Sequence, residues 1–314
     1  MKIGFGIVLE AFPKPTAEFF CKGVKKMSQD RNESGLLHFV KMQGCGNDYI
    51  YFDCFDQCIS DPEKLAIKLS DRHFGIGGDG IVLICPSDIA DVKMRMFNID
   101  GSEGKMCGNA IRCVGKYMYD IKKTGKTTVT VETLSGIKTL RLTVSDGKMT
   151  KAEVNMGKAE LSPSKIPVSI DGERVVGKEI DVAGGKYRVT CVSMGNPHCI
   201  IFGDDPKDLD LPTIGPKFEF DPVFPERVNT EFIKVIDSKT LKMRVWERGS
   251  GETLACGTGS CAAVVAAVLN GYCNYEEPVT VQLVGGELSI RYCKDGTVYM
   301  TGGAEIAFEG TVRV

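Results

Sequence analysis

MCGNAIRC spans Met106–Cys113, and ACGTGSC spans Ala255–Cys261. Each sets a cysteine, a glycine and a small polar residue where a turn gives way to a run that reads as helix. Cys107 and Cys256 stand 149 positions apart, and the same offset recurs elsewhere. Shifted by it, GNDYIYF from Gly46 falls on GNPHCIIF from Gly195, and MRMFN from Met94 falls on MRVWE from Met243. Asn47 then meets Asn196, Asn98 meets Glu247, and Gly80 meets Asn229. Several ungapped segments at one offset, each at a turn or element boundary, imply two homologous halves related by a pseudo-two-fold axis. A site at their junction would draw equivalent residues from both sides, and clefts between domains are favoured places for small ligands.

The local patterns fit two mixed units. YIYFD, GIVLI, VKMRMFN, TTVTVET, CIIFG, TEFIKVI, LKMRVWE and PVTVQL are short and rich in β-branched or aromatic residues, the signature of strands. Residues 109–121 and 258–272 read as helices. In the first, Ile111, Val114, Met118 and Ile121 recur at helical spacing. The second is almost wholly Ala, Val and Leu, so it is expected to be buried all round. The expected fold class is α/β (α+β): two pseudo-symmetric domains, each a mostly antiparallel sheet wrapped around a central helix. No strand–helix–strand alternation of the parallel kind is present, which disfavours a Rossmann sheet. Gly75, Gly77 and Gly80 do spell G-x-G-x-x-G, but the apolar run IVLI after them reads as strand, and the dinucleotide fingerprint requires a helix there. The expected division is a leader over 1–36, a first half over 37–151 to which 302–314 returns, and a second half over 152–301.

The composition bounds the function class. The 314 residues carry a formal net charge of −2, with 43% apolar and 25% charged residues, so neither a nucleic-acid nor an anionic-membrane partner is implied. No apolar run approaches the roughly 20 residues that a membrane helix needs. The opening MKIGFGIVLEAF is interrupted by Glu10 and followed by no small-residue cleavage site, so a cytoplasmic location is expected. Thirteen cysteines are then mostly reduced, buried side chains. No C-x-x-C occurs and there are three histidines, so no metal site is expected.

Cys107 and Cys256 are different because of where they sit. At a helix N-terminus, free N–H groups and the positive dipole end favour an anion. A thiol there is expected to have a lowered pKa, and a substrate carboxylate can lie on the amides of Gly108, Asn109, Gly257 and Thr258. Two such thiols on opposite faces of one carbon suit removal of a proton α to a carboxylate on one side and its return on the other, which inverts the centre without a cofactor. Cys113 and Cys261 lie further inside the helices and read as core thiols.

At this point the sequence resembles the diaminopimelate epimerase family over about residues 37 to 314. The resemblance rests on KMQGCGNDY, DRHFGIGGDG, RMFNIDGSEGKMCGNAIRC, SMGNPH, RVNTEFI and WERGSGETLACGTGSCAA, in that order. It implies the fold of that family, interconversion of LL- and meso-2,6-diaminopimelate in lysine and peptidoglycan precursor biosynthesis, no cofactor, and a homodimer. It implies Cys107 and Cys256 as the acid/base thiols. It implies Asn47, Asn98, Asn196, Asn229, Glu247 and Arg248 as substrate contacts, with Arg248 on the distal carboxylate and Glu247 on an ammonium group. His198 and Glu247 are implied as neighbours that tune the thiols. Proline racemase and 4-hydroxyproline epimerase share the paired-thiol logic but typically carry His after MCG, where this chain has Asn109. A PhzF-like isomerase would lack the cysteine pair.

Overall fold

A computed structural model describes residues 35–314. The expected leader lies almost wholly outside the described residues. Eighteen strands join into one hydrogen-bonded sheet system. The first eight are β1 (Leu36–Gly44), β2 (Asn47–Asp53), β3 (Gly80–Cys85), β4 (Val92–Asn98), β5 (Glu103–Gly104), β6 (Thr128–Thr133), β7 (Gly136–Ser145) and β8 (Lys148–Lys158). Then come β9 (Lys178–Val182), β10 (Gly185–Ser193), β11 (Pro197–Phe202), β12 (Asn229–Asp237), β13 (Thr240–Glu247), β14 (Gly251–Glu252), β15 (Pro278–Leu283), β16 (Gly286–Tyr292), β17 (Thr297–Gly303) and β18 (Glu305–Arg313).

The offset read from sequence is also a register. β2 pairs parallel with β3 through Ile50↔Ile81, and β11 pairs parallel with β12 through Cys199↔Thr230. β3 and β4 pair antiparallel through Gly80↔Asn98, as β12 and β13 do through Thr230↔Trp246. Phe97↔Glu103 in β4–β5 is matched by Trp246↔Glu252 in β13–β14. The chain therefore folds the same unit twice. The two units meet through an antiparallel β8–β17 pairing, and β18 runs back to pair with β1.

Four α-helices are described: α1 (Pro62–Ser70), α2 (Gly108–Lys116), α3 (Leu211–Glu219) and α4 (Gly257–Leu269). α1 starts where it does because the Asp61 carboxylate accepts from Lys64 N at 3.2 Å and Pro62 occupies the first turn, where its missing N–H costs nothing. α2 and α4 are the central helices. Every residue of α2 is buried, as are Gly257 and Gly259–Val268 of α4. That bears out the two-domain α+β expectation; α4, apolar all round, can only sit inside a wrap of sheet, while α2 is buried with its Arg112 and Lys116 satisfied by backbone carbonyls. The first helix differs from its expectation at its C-terminal end. After Lys116 the chain widens into a π turn over Tyr117–Ile121, and Ile121 is exposed rather than on the buried stripe. The G-x-G-x-x-G leads directly into strand β3 at Gly80, as its sequence context predicted. Among the described residues no helix is long and apolar enough to cross a membrane.

The core thiols have a consequence for stability. Cys113 and Cys261 are fully buried, and burial pushes their pKa values up to about 11 and about 12. In the unfolded chain they ionise near 9, so above that pH the unfolded state releases protons that the native state retains. Stability from these groups is intact below pH 9 and is lost as pH rises. We expect each to remove about 2 kcal/mol by pH 11. Urea unfolding of the protein and of Cys261→Ala, followed from pH 8 to 11, checks this: the alkaline loss should be smaller in the variant.

Candidate active site

Cys107 and Cys256 are the N-cap residues of α2 and α4, both in extended conformation. The two helix starts converge. The side chain of Met300 fills the space beside both glycines: a Cβ on Gly108 would lie 2.6 Å from its Cε, and one on Gly257 would lie 3.2 Å from its Sδ. Asn109 Nδ2 reaches across to the carbonyl of Ala255 at 3.4 Å. Glycine after each cysteine thus leaves room for the Met300 side chain where the two halves touch, and a Cβ at either position would have to displace it.

The first helical amides serve the sulfurs. Gly259 N donates to Cys256 Sγ at 3.4 Å, whereas the Cys107 side chain takes no cap hydrogen bond and the nearby amides of Asn109 and Ala110 favour its thiolate electrostatically. The amides of Gly108, Asn109, Gly257 and Thr258 take part in no hydrogen bond among the described residues, so they are free to hold a carboxylate. The expected lowering of the thiol pKa is corrected here. Burial outweighs the amides and pushes the Cys107 thiol up. It pushes Cys256 well up, and the carboxylates of Glu247 and Glu231 add to it. The helix end acts in the predicted direction, but removal of water from the sulfur is the larger effect. A thiolate formed in such a place is a correspondingly stronger base.

The other residues named from sequence fall into two groups. Near Cys107, Asn47 opens β2: its Oδ1 accepts from the thiol at 3.3 Å, and its Nδ2 donates to Asp79 Oδ2 at 2.7 Å. Asp79 and Asp48 share Arg72, at 3.0 and 2.6 Å, and Asp48 also pairs with the buried Lys41. Arg72 therefore supports Asn47, whereas His73 is exposed. Asn98 ends β4 with Nδ2 on Ser102 Oγ at 3.0 Å. Near Cys256, Thr258 Oγ1 lies 3.6 Å from the thiol. His198 is fully buried between Asn196 Oδ1 at 3.1 Å and Glu231 Oε1 at 2.6 Å. Asn229 is held by Pro197 O and by the amide of Arg248. Glu247 accepts from Thr253 Oγ1 at 2.5 Å and acts electrostatically on both thiols. Arg248 is exposed at the rim, with Nη1 on Glu226 O at 2.9 Å and no carboxylate among the described residues paired with it.

Two residues were not legible as part of the site. Arg112 is fully buried and donates to Gly108 O, Asn109 Oδ1 and Gly303 O at 2.9 to 3.0 Å, tying α2 to β17. Glu231 lies inside β12, fully buried. The available signal was an acidic residue at an inward position of the apolar strand TEFIKV.

The profile of the diaminopimelate epimerase family matches residues 39–162 and 190–307. A diaminopimelate epimerase of Acetivibrio thermocellus is 55% identical over 277 residues, covering 88% of this chain and 98% of the relative. One of Desulfovibrio desulfuricans is 57% identical, covering 87% and 97%, and one of Methanococcus maripaludis is 52% identical, covering 88% and 100%. Among solved structures, a PhzF-family phenazine biosynthesis protein of Bacillus anthracis aligns with TM-score 0.63 at 18% identity, covering 89% of this chain and 99% of its own. A probable proline racemase from Agrobacterium radiobacter aligns with TM-score 0.64 at 13% identity, covering 88% and 92%. These two share the fold. The family-wide match, the near full-length identity and the paired cysteines at equivalent helix starts together place this chain in the diaminopimelate epimerase family.

Proposed function

We propose that the protein interconverts LL- and meso-2,6-diaminopimelate, in the biosynthesis of lysine and peptidoglycan precursors, by proton transfer between two thiols. The observation that carries the reading is the convergence of Cys107 and Cys256, each the N-cap of a buried helix, on either side of one pseudo-two-fold junction. The carboxylate at the reacting centre lies on the amides of Gly108, Asn109, Gly257 and Thr258, where N–H groups and both helix dipoles oppose its growing negative charge. One cysteine, as thiolate, takes the α-proton and becomes a thiol. The other, as thiol, gives its proton to the opposite face and becomes a thiolate. Charge and protons balance, and the two cysteines exchange states with each turnover. Each well-placed transfer contributes about 10²–10⁴-fold, and the scarcity of water around the buried Cys256 and half-buried Cys107 keeps the electrostatic terms strong.

Asn47, Asn98, Asn196, Asn229 and Glu247 hold the rest of the substrate, and Glu247 and His198 set the electrostatics of the thiols. Arg248 binds the distal carboxylate as a planar fork. Arg248→Gln is expected to raise KM for diaminopimelate about 10–100-fold, the loss of one charge-assisted contact, with kcat less affected. Steady-state kinetics decide it: an unchanged KM would remove Arg248 from the substrate site.

Two further parts of the reading concern organisation. The halves divide near residues 151 and 302, supported by the β8–β17 junction and the return of β18 to β1. The chain works in the cytoplasm as a homodimer, and the exposed Ile306 and Phe308 of β18 support a partner surface there. Sedimentation gives the oligomeric state directly.

A further inference from the structure

The two thiols have unlike surroundings despite their matched backbones. By the shared register of β2–β3 and β11–β12, Tyr49 stands where His198 stands, and Val82 stands where Glu231 stands. The first half therefore has a phenol and an apolar side chain behind its thiol. The second has a buried imidazole and a buried carboxylate. A buried carboxylate carries a large desolvation cost unless it is paired, so its presence at one of two equivalent positions requires a reason.

The geometry around Glu231 supplies one. Its Oε1 lies 2.6 Å from His198 Nδ1, and both side chains are fully buried. Its Oε2 has no partner among the described residues. The carboxylate also adjoins the helix start that carries the thiol. A Cβ on Gly259 would lie 2.5 Å from Glu231 Oε1 and 3.2 Å from Cys256 Sγ, so both groups crowd one point. The other ring nitrogen, Nε2, faces Asn196 Oδ1 at 3.1 Å. A carboxylate that accepts Nδ1–H fixes the tautomer and orientation of an imidazole.

We propose that Glu231 is a positioning residue for the reaction: it accepts the Nδ1 proton of His198, fixes the tautomer and plane of the ring beside Asn196, and through that pair sets the electrostatics at Cys256. This rests on the two-thiol reading above. With Nδ1–H given to Glu231, the Nε2 lone pair of the ring faces Asn196, whose side-chain amide donates to it when turned to put Nδ2 there. The Glu231 carboxylate opposes a thiolate at Cys256. The groups that face Cys256 are Glu231 on β12, Glu247 on β13 and Thr258 on α4. Those that face Glu231 are His198 on β11 and Glu247. Among the described residues the equivalent positions behind Cys107 hold Tyr49 and Val82, so the two acid/base groups differ by construction.

The test has two parts. The chain has three histidines, His38, His73 and His198, of which only the last is buried, so its imidazole is separable by ¹⁵N NMR of the whole protein. We expect a water-protected Nδ1–H signal in the wild-type protein, and its loss or a large shift in Glu231→Gln. We expect Glu231→Gln to lower kcat about tenfold or more, with KM within about threefold. The thiol limb of its kcat/KM profile should move to lower pH, because a charge that opposes the Cys256 thiolate is gone. If Glu231→Gln fails to fold, the wild-type spectrum still decides: an unprotonated Nδ1 overturns the proposal. A wild-type kcat and pH profile in Glu231→Gln, beside an inactive Cys256→Ser, overturns the role of Glu231 alone. An active Cys256→Ser overturns the two-thiol reading and this proposal's catalytic part with it.

Discussion

Cys107→Ser and Cys256→Ser each lose about three orders of magnitude or more in kcat, while remaining folded. A serine hydroxyl at either position keeps the N-cap geometry, since an oxygen there accepts helix amides at least as well as sulfur does. What it cannot do is ionise in a buried site. The sulfurs already resist ionisation because water is excluded, and an alcohol resists it far more. The variant thus loses either the base or the acid, and loss of one positioned proton-transfer group costs about 10²–10⁴-fold. The two losses are not additive. Each direction of the reaction needs both groups, so the double variant should be little worse than either single one. Loss of activity in one variant only would reduce the mechanism to a single base. Thermal unfolding of each variant within a few degrees of wild type excludes a folding effect.

Arg112→Leu is the substitution with the largest expected effect on stability. The guanidinium is fully buried, and the acceptors it uses are neutral: Gly108 O, Gly303 O and Asn109 Oδ1. Leucine fills part of the volume and leaves these three acceptors unpaired inside the protein. Stranded buried acceptors cost about 1–3 kcal/mol each before relaxation, so a net loss of about 3–5 kcal/mol is expected. At this chain length that lowers Tm by roughly 10 °C. Arg112→Lys keeps the charge but not the fork, and should fall between the two. Activity should fall as well, because Arg112 fixes the carbonyl of Gly108 and its charge helps the Cys107 thiol ionise. A melting temperature unchanged in Arg112→Leu would contradict the role given to this contact between α2 and β17.

How far the sequence led can be seen residue by residue. The repeat was legible because turn residues and cysteines at helix starts are tied to backbone geometry, and the same offset emerged as the strand register. The two central helices were legible from the Ala/Val run of α4 and the spacing of Ile111, Val114 and Met118. The widening of the first helix into a π turn was not, since apolar spacing continues through it to Ile121. α1, with its Asp61–Pro62 start, carried a local signal that strand patterns overshadowed. Arg112 and Glu231 were missed for a common reason. Pattern reading assigns charged residues to the surface, and only the three-dimensional partners show that these two are buried. The lowered thiol pKa was misjudged because the helix end is visible in sequence and the burial is not.

The most direct test of the two-thiol account is proton NMR of LL-diaminopimelate turned over in D₂O by the reduced protein, sampled at low conversion. Opposite-face acid and base predict meso product that carries deuterium at the inverted carbon, while unreacted substrate still carries its proton. Product that retains the original proton at that carbon, or turnover that persists in Cys107→Ser or Cys256→Ser, would contradict it.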